Sequence, residues 1–159
     1  MRTAAPKKRS SPGQPLAGLT ARFSARPESL AELHTAFETF FASAERAGAA
    51  IRPVDRVAMV TAASEIAANI VDHACHHLPD AQVSLALQRT GGSIEARFED
   101  PGAPFGEARP KAEGDEIPHM GVGLKVARAS LDALEYVRED GHNCWRLVRL
   151  TAPSGVTPG

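Results

Sequence analysis

Two pairs of alternating segments, each folded at a glycine turn, constrain this chain most. Val83, Leu85 and Leu87 alternate with other residues, Gly91-Gly92 follows, and Ile94, Ala96 and Phe98 alternate again. Period two marks strands, and the glycines between them permit the backbone of a tight hairpin turn. The pattern recurs over roughly 134–139 and 143–151, turned at Asp140-Gly141. A further short strand is expected where Leu19, Ala21, Phe23 and Ala25 alternate. Antiparallel strands of this kind have one apolar face, and something else in the chain has to cover it.

Helices supply the cover. Pro27 suits a first helical turn, where a missing N–H costs nothing. Leu30, Leu33, Phe37, Phe40, Phe41 and Ala44 follow at three- and four-residue spacing, with Gly48 just beyond. The aromatic stripe reads as packing. A second helix is predicted from near Pro53, with Asp55 favourably placed in its first turn, to about His76, because Pro79 follows closely. A third is expected after Gly121-Val122-Gly123. Segregated helices and strands give an α+β fold: a two-layer α/β sandwich, with three helices on a mixed, mostly antiparallel sheet.

The chain has 159 residues, enough for one domain with its own core. With 18 basic and 19 acidic residues its net charge is -1, which gives no general reason to expect direct contact with nucleic acid or an anionic membrane. The charge is unevenly spread: Arg2, Lys7, Lys8 and Arg9 make residues 1–18 a basic, Pro/Gly/Ser-rich stretch, predicted to be a flexible tail. Residues 153–159 are read as a frayed end, leaving 19–152 as the domain. No apolar run approaches the roughly 20 residues of a membrane span, and the N-terminus lacks the apolar stretch of a signal peptide. Cys75 and Cys144 form no CxxC pair, in keeping with a cytoplasmic setting.

Within the second helix, Glu65, Asn69 and His73 form a polar stripe that drifts by about 40° per four-residue step. Val60, Ile66, Ala67, Ile70, Val71 and Ala74 flank it. Such a stripe either faces solvent or lines a cavity at the edge of the core, since unpartnered polar burial is costly. The i,i+4 pairs His73/His77 and Asp72/His76 could hold a metal ion, but no HExxH order is present, and histidines also suit a helix C-terminus on dipole grounds. A solvated or capping role is the expectation for that cluster. Further along, Asp100-Pro101-Gly102 ends a strand and Gly121-Val122-Gly123-Leu124 opens a helix. A glycine-bearing helix start brings backbone N–H groups to an anion. Neither the Walker nor the Rossmann pattern is present. The intervening Pro/Gly-rich loop, 101–120, has the length of a functional or mobile segment.

Taken in order, Glu65-xxx-Asn69-xxx-His73, Asp100-x-Gly102 and Gly121-x-Gly123-Leu124 resemble the N, G1 and G2 boxes of the GHKL ATPase superfamily, the Bergerat fold, over about residues 19–151. The chain is most similar to bacterial anti-sigma factor serine/threonine kinases of the RsbW type. That likeness also draws on Ser64 to Ala74, Asp100 to Phe105 and Leu131 to Tyr136. The resemblance implies that Asn69 coordinates Mg2+ on the phosphates of ATP and that Asp100 accepts a hydrogen bond from the adenine amino group. It implies that Gly102 lets the base approach, and that the Gly121, Gly123 and Leu124 segment meets the phosphates. His73 would line the site, Lys125 is a candidate cation, and residues 106–120 would form a lid carrying Arg109 or Lys111. Glu65 would orient or deprotonate the attacking hydroxyl. The implied activity is phosphorylation of a small STAS-type anti-sigma factor antagonist by a homodimer that also sequesters a sigma factor. The alternative is an ATP-binding regulatory module with little or no phosphoryl transfer. A histidine-kinase catalytic domain is disfavoured, because no phosphoacceptor helix precedes residue 19 and His34 lacks the flanking residues of one.

Overall fold

The structure is a computed structural model that describes residues 17–106 and 121–151. Five strands, β1 (Ala17–Ser24), β2 (Gln82–Arg89), β3 (Ser93–Asp100), β4 (Ala133–Glu139) and β5 (His142–Leu150), form one sheet in the order β1-β2-β3-β5-β4. All four pairings are antiparallel, so the expected mixed character is absent among the described residues. The strand predicted from Leu19 starts at Ala17, taking in the last two residues of the predicted basic tail. The rest of that tail, the end 153–159 and the lid residues Arg109 and Lys111 lie outside the described residues.

Helices α1 (Leu30–Arg46), α2 (Pro53–Asn69) and α3 (Val122–Ser130) cover one face of the sheet. The alternation seen in the sequence fixes which face. Val83, Leu85, Leu87, Ile94, Ala96, Phe98, Trp145 and Leu147 point to the helices and are buried with Leu33, Phe37, Phe40, Met59, Ile66 and Leu124. The other face carries Glu95, Arg97, Glu135 and Arg146, joined in an ion-pair ladder. Both hairpins turn where expected, and Asp140 and Gly141 take the positive φ angles of a two-residue turn.

The second helix departs from its predicted course. Regular α geometry ends at Asn69, and Ile70–Ala74 form a π turn in which the Cys75 N–H donates to the Ile70 carbonyl at 2.7 Å. Short π segments insert into α-helices as single turns, frequently at functional sites. Here the wide turn lies between Asn69 and the loop that carries Gly102.

Candidate functional site

The orientation of α2 follows from ties at both of its ends. At the N-terminal end Asp55 is fully buried and accepts from Arg52 Nε at 2.8 Å and from Arg149 Nε of β5 at 2.9 Å. The hydrogen bond from Arg52, helped by Arg149, holds the Asp55 carboxyl below the usual carboxylate range against the opposing effect of burial. At the C-terminal end the Ala74 carbonyl accepts from the Ala103 N–H at 2.8 Å, just beyond β3. Because Asn143 and Arg149 lie near opposite ends of β5, these two ties set the C-terminal end of α2 over the edge of the sheet where β3 ends and β5 begins.

Asp100 is the last residue of β3 and is fully buried. Its Oδ1 accepts from the Gly102 N–H at 2.9 Å, from Asn143 Nδ2 at 3.0 Å and from the Cys75 thiol at 3.7 Å. Its Oδ2 is equally buried and has no hydrogen-bond partner among the described residues. A carboxylate oxygen in that state costs free energy until a donor reaches it. Burial, reinforced by the Asp100 charge, pushes the Cys75 thiol up to about 12, so Cys75 is a hydrogen-bond donor here and no nucleophile. Gly102 is buried against the π turn: a Cβ at that position would lie 2.5 Å from the Ala74 carbonyl carbon and 2.8 Å from Asp100 Oδ1. The glycine expected to admit a ligand is therefore required first by the protein's own backbone.

Glu65 and the start of α3 meet in a similar way. A Cβ on Gly123 would lie 2.5 Å from Glu65 Cδ and 3.0 Å from its Oε1, so the carboxylate rests on the backbone of the first turn of α3. An acidic group is favourable there, at the positive end of the helix dipole. No side chain caps α3, whose first intrahelical bond runs from the Lys125 N–H to the Gly121 carbonyl at 3.2 Å. The N–H groups of Val122, Gly123 and Leu124 thus precede the helical ladder, the position from which helix starts bind anions. Gly121 has ordinary backbone angles for any residue and open space at its Cβ, so nothing among the described residues demands glycine there. Asn69 donates from Nδ2 to the Glu65 carbonyl at 3.0 Å, which leaves its Oδ1 to an external partner.

The structure thus brings Glu65, Asn69, Asp100, Gly102 and Gly123 around the C-terminal end of α2. His73 is exposed on the π turn and Lys125 is exposed on α3. Leu124, predicted beside the ligand, sends its side chain into the core and can offer a ligand only its backbone. Among the described residues no three or more His, Cys, Asp or Glu side chains are grouped so that they could hold a metal ion. Sequence reasoning missed Asn143, Tyr136 and Arg138. Asn143 Oδ1 accepts from Tyr136 Oη at 2.6 Å and from Arg138 Nη1 at 2.8 Å, while Arg138 Nη1 also donates to the Gly102 carbonyl at 3.0 Å. The one available signal was an asparagine inside a strand, where that residue type is depleted.

A helical layer on an antiparallel sheet, with a buried carboxylate at a strand end and an acidic residue against the first turn of α3, defines a two-layer α/β sandwich. The family profile described as "Histidine kinase-like ATPase domain" matches residues 23–149, and the chain belongs to that family. It is similar in fold to the crystal structure of the RsbU and RsbW domains of Rv1364c from Mycobacterium tuberculosis, with a TM-score of 0.58 and 20% sequence identity. That likeness covers 86% of this chain and 33% of the other, so the chain spans about a third of its length. None of the curated proteins matches the chain. Among the described residues no helix is long and apolar enough to cross a membrane.

Proposed function

We propose that the chain is an ATP-dependent protein serine/threonine kinase of the anti-sigma factor type. Its substrate would be a serine or threonine of a small STAS-type antagonist, and as a homodimer in the cytoplasm it would sequester a sigma factor. The functional domain is residues 19–152, extended at its start by the residues of β1. The observation that carries the nucleotide reading is the buried, unpartnered Oδ2 of Asp100. It accepts and cannot donate, so a purine with an exocyclic amine satisfies it and one with a carbonyl at the same place does not.

The remaining roles follow from the chemistry of each group. Asn69 offers a neutral amide oxygen, a hard ligand suited to Mg2+ alongside water and phosphate oxygens. Bound there, Mg2+ would neutralise charge on the phosphates. The N–H groups at the start of α3 donate to phosphate oxygens, with Lys125 on the same turn as an added cation. His73 borders this region from the π turn. Glu65, beside that turn, orients the attacking hydroxyl and takes its proton. Since phosphoryl transfer depends mostly on positioning and electrostatics, one carboxylate at that point is sufficient general-base machinery.

Titration calorimetry with Mg-ATP and Mg-GTP, in the wild type and Asp100→Asn, tests the nucleotide site. We expect ATP to bind, GTP not to bind, and the variant to lose about 10- to 100-fold in ATP affinity, the value of a hydrogen bond to a charged acceptor. Transfer of label from γ-labelled ATP to a candidate antagonist, with alanine at its phosphoacceptor as control, tests the kinase step. Binding of ATP without transfer would leave an ATP-dependent binding module.

A further inference from the structure

We propose that Asn143 is the residue that aims Asp100, and so sets the selectivity of the site for a base bearing an exocyclic amine. The inference rests on the nucleotide reading above. Asn143 lies opposite Asp100 in the β3–β5 register and beside Arg138 in the β4–β5 register, so the three stand in one row across the end of the sheet. It is 1% exposed.

The chemistry of its neighbours allows its amide only one orientation. On one side stand Tyr136 Oη and Arg138 Nη1, and a guanidinium can only donate. On the other stand Asp100 Oδ1 and the Ala103 carbonyl, which only accept, at 3.0 and 2.9 Å from Nδ2. All four hydrogen-bonding positions of the amide are therefore filled, and neither rotating nor flipping it is tolerated. The Tyr136 hydroxyl is itself fixed by the Phe105 N–H at 2.9 Å, and its ring packs on Phe105 and Trp145.

The consequence falls on Asp100. Asn143 Nδ2, with the Gly102 N–H and the Cys75 thiol, draws Oδ1 into a pocket of three donors and leaves Oδ2 with none. Without Asn143 the carboxylate loses the donor supplied by the sheet and can rotate. Its two oxygens then share the remaining donors, and neither is held ready for a ligand. The Asn143 amide is fully engaged by protein groups, which leaves it no hydrogen-bonding position for base or phosphate. It is a positioning residue, and its signature is a loss of discrimination that exceeds any loss of general affinity.

The test compares Mg-ATP with the Mg complex of purine riboside triphosphate, which lacks only the 6-amino group, by calorimetry on the full chain. In the wild type we expect ATP to bind about tenfold or more tightly than the analogue. In Asn143→Leu the analogue should bind within about threefold of its wild-type affinity while the preference for ATP falls to about threefold or less. Tyr136→Phe, which removes one of the two donors that orient the amide, should give an intermediate preference. If Asn143→Leu weakens both ligands equally, or keeps the wild-type preference, Asn143 does not aim Asp100 and the proposal is overturned while the nucleotide site stands. If Asn143→Leu loses its near-ultraviolet circular dichroism, Tyr136→Phe decides, and an unchanged preference there overturns it. A wild type that binds both ligands equally overturns the proposal while the nucleotide site stands, and one that binds neither removes the nucleotide reading itself.

Discussion

The two glycines of the site should respond oppositely to alanine, although both are crowded. In Gly123→Ala the new methyl meets the tip of the Glu65 side chain, which can swing aside by rotating its own χ angles. Alanine in a helix is better than glycine by up to about 1 kcal/mol, and displacing an acidic group from a helix N-terminus forfeits about 0.3–1 kcal/mol. The net change is close to zero, so the melting temperature should move by no more than about 3 °C. In Gly102→Ala the methyl meets the Ala74 carbonyl carbon, part of a backbone tied to Ala103, and cannot be accommodated by a rotamer change. Overpacking of about 1–3 kcal/mol plus about 1 kcal/mol for a weakened buried hydrogen bond predicts a fall of about 5–15 °C. Function should divide the other way for Gly123→Ala. General-base residues contribute about 10²- to 10⁴-fold, and a displaced carboxylate keeps part of that, so phosphoryl transfer should drop about 10- to 100-fold with ATP affinity nearly unchanged. Thermal melts followed by circular dichroism and label-transfer rates at saturating ATP measure both. If Gly123→Ala melts as low as Gly102→Ala, the Glu65 contact is rigid and structural. If its transfer rate equals that of the wild type, the position of Glu65 is irrelevant to the reaction.

Other outcomes follow from the same geometry. Arg149→Met should destabilise the chain by about 2–4 kcal/mol in urea melts, because it strips one of two cations from the fully buried Asp55. Asp55 titrates below its ordinary value in the folded state, so the unfolded chain binds more protons in that range and stability rises with pH there. Its contribution is therefore complete at neutral pH and is lost as pH falls below about 4, and the gap between wild type and Arg149→Met should narrow over the same range. Cys75, buried and with its thiol pushed up to about 12, should resist iodoacetamide in the native chain at pH 8 and react at an ordinary rate in urea. Mass spectrometry of labelled peptides distinguishes it from the partly exposed Cys144.

Much of this arrangement was legible before any coordinates, for one physical reason: periodicity records which side of an element meets the core. Leu33, Phe37 and Phe40 on α1, and Val83, Leu85 and Leu87 on β2, are buried as their spacing predicts. The three polar motifs were visible because each interrupts such a pattern. Other features depend on contacts between residues far apart in sequence, and no local pattern carries those. Asp55 reads locally as a first-turn acid suited to the helix dipole, whereas its main partner across the fold is Arg149, 94 residues on. Asn143 reads as a weak strand residue until β5 is laid against β3 and puts it opposite Asp100. The π turn was invisible because Ile70–Ala74 keep the composition of a continuing helix, and only the tie of Ala74 to Ala103 reveals what the wider turn accomplishes. The glycines make the sharpest case. A glycine in a sequence declares that space or backbone freedom is needed and does not say what needs it. At Gly102 the neighbour is the protein's own Ala74 carbonyl, at Gly123 it is the Glu65 carboxylate, and at Gly121 nothing described comes near. Two of the three motif glycines are thus where α2 is joined to the loop after β3 and to α3. Two glycines read in the sequence as ligand contacts also hold these elements together.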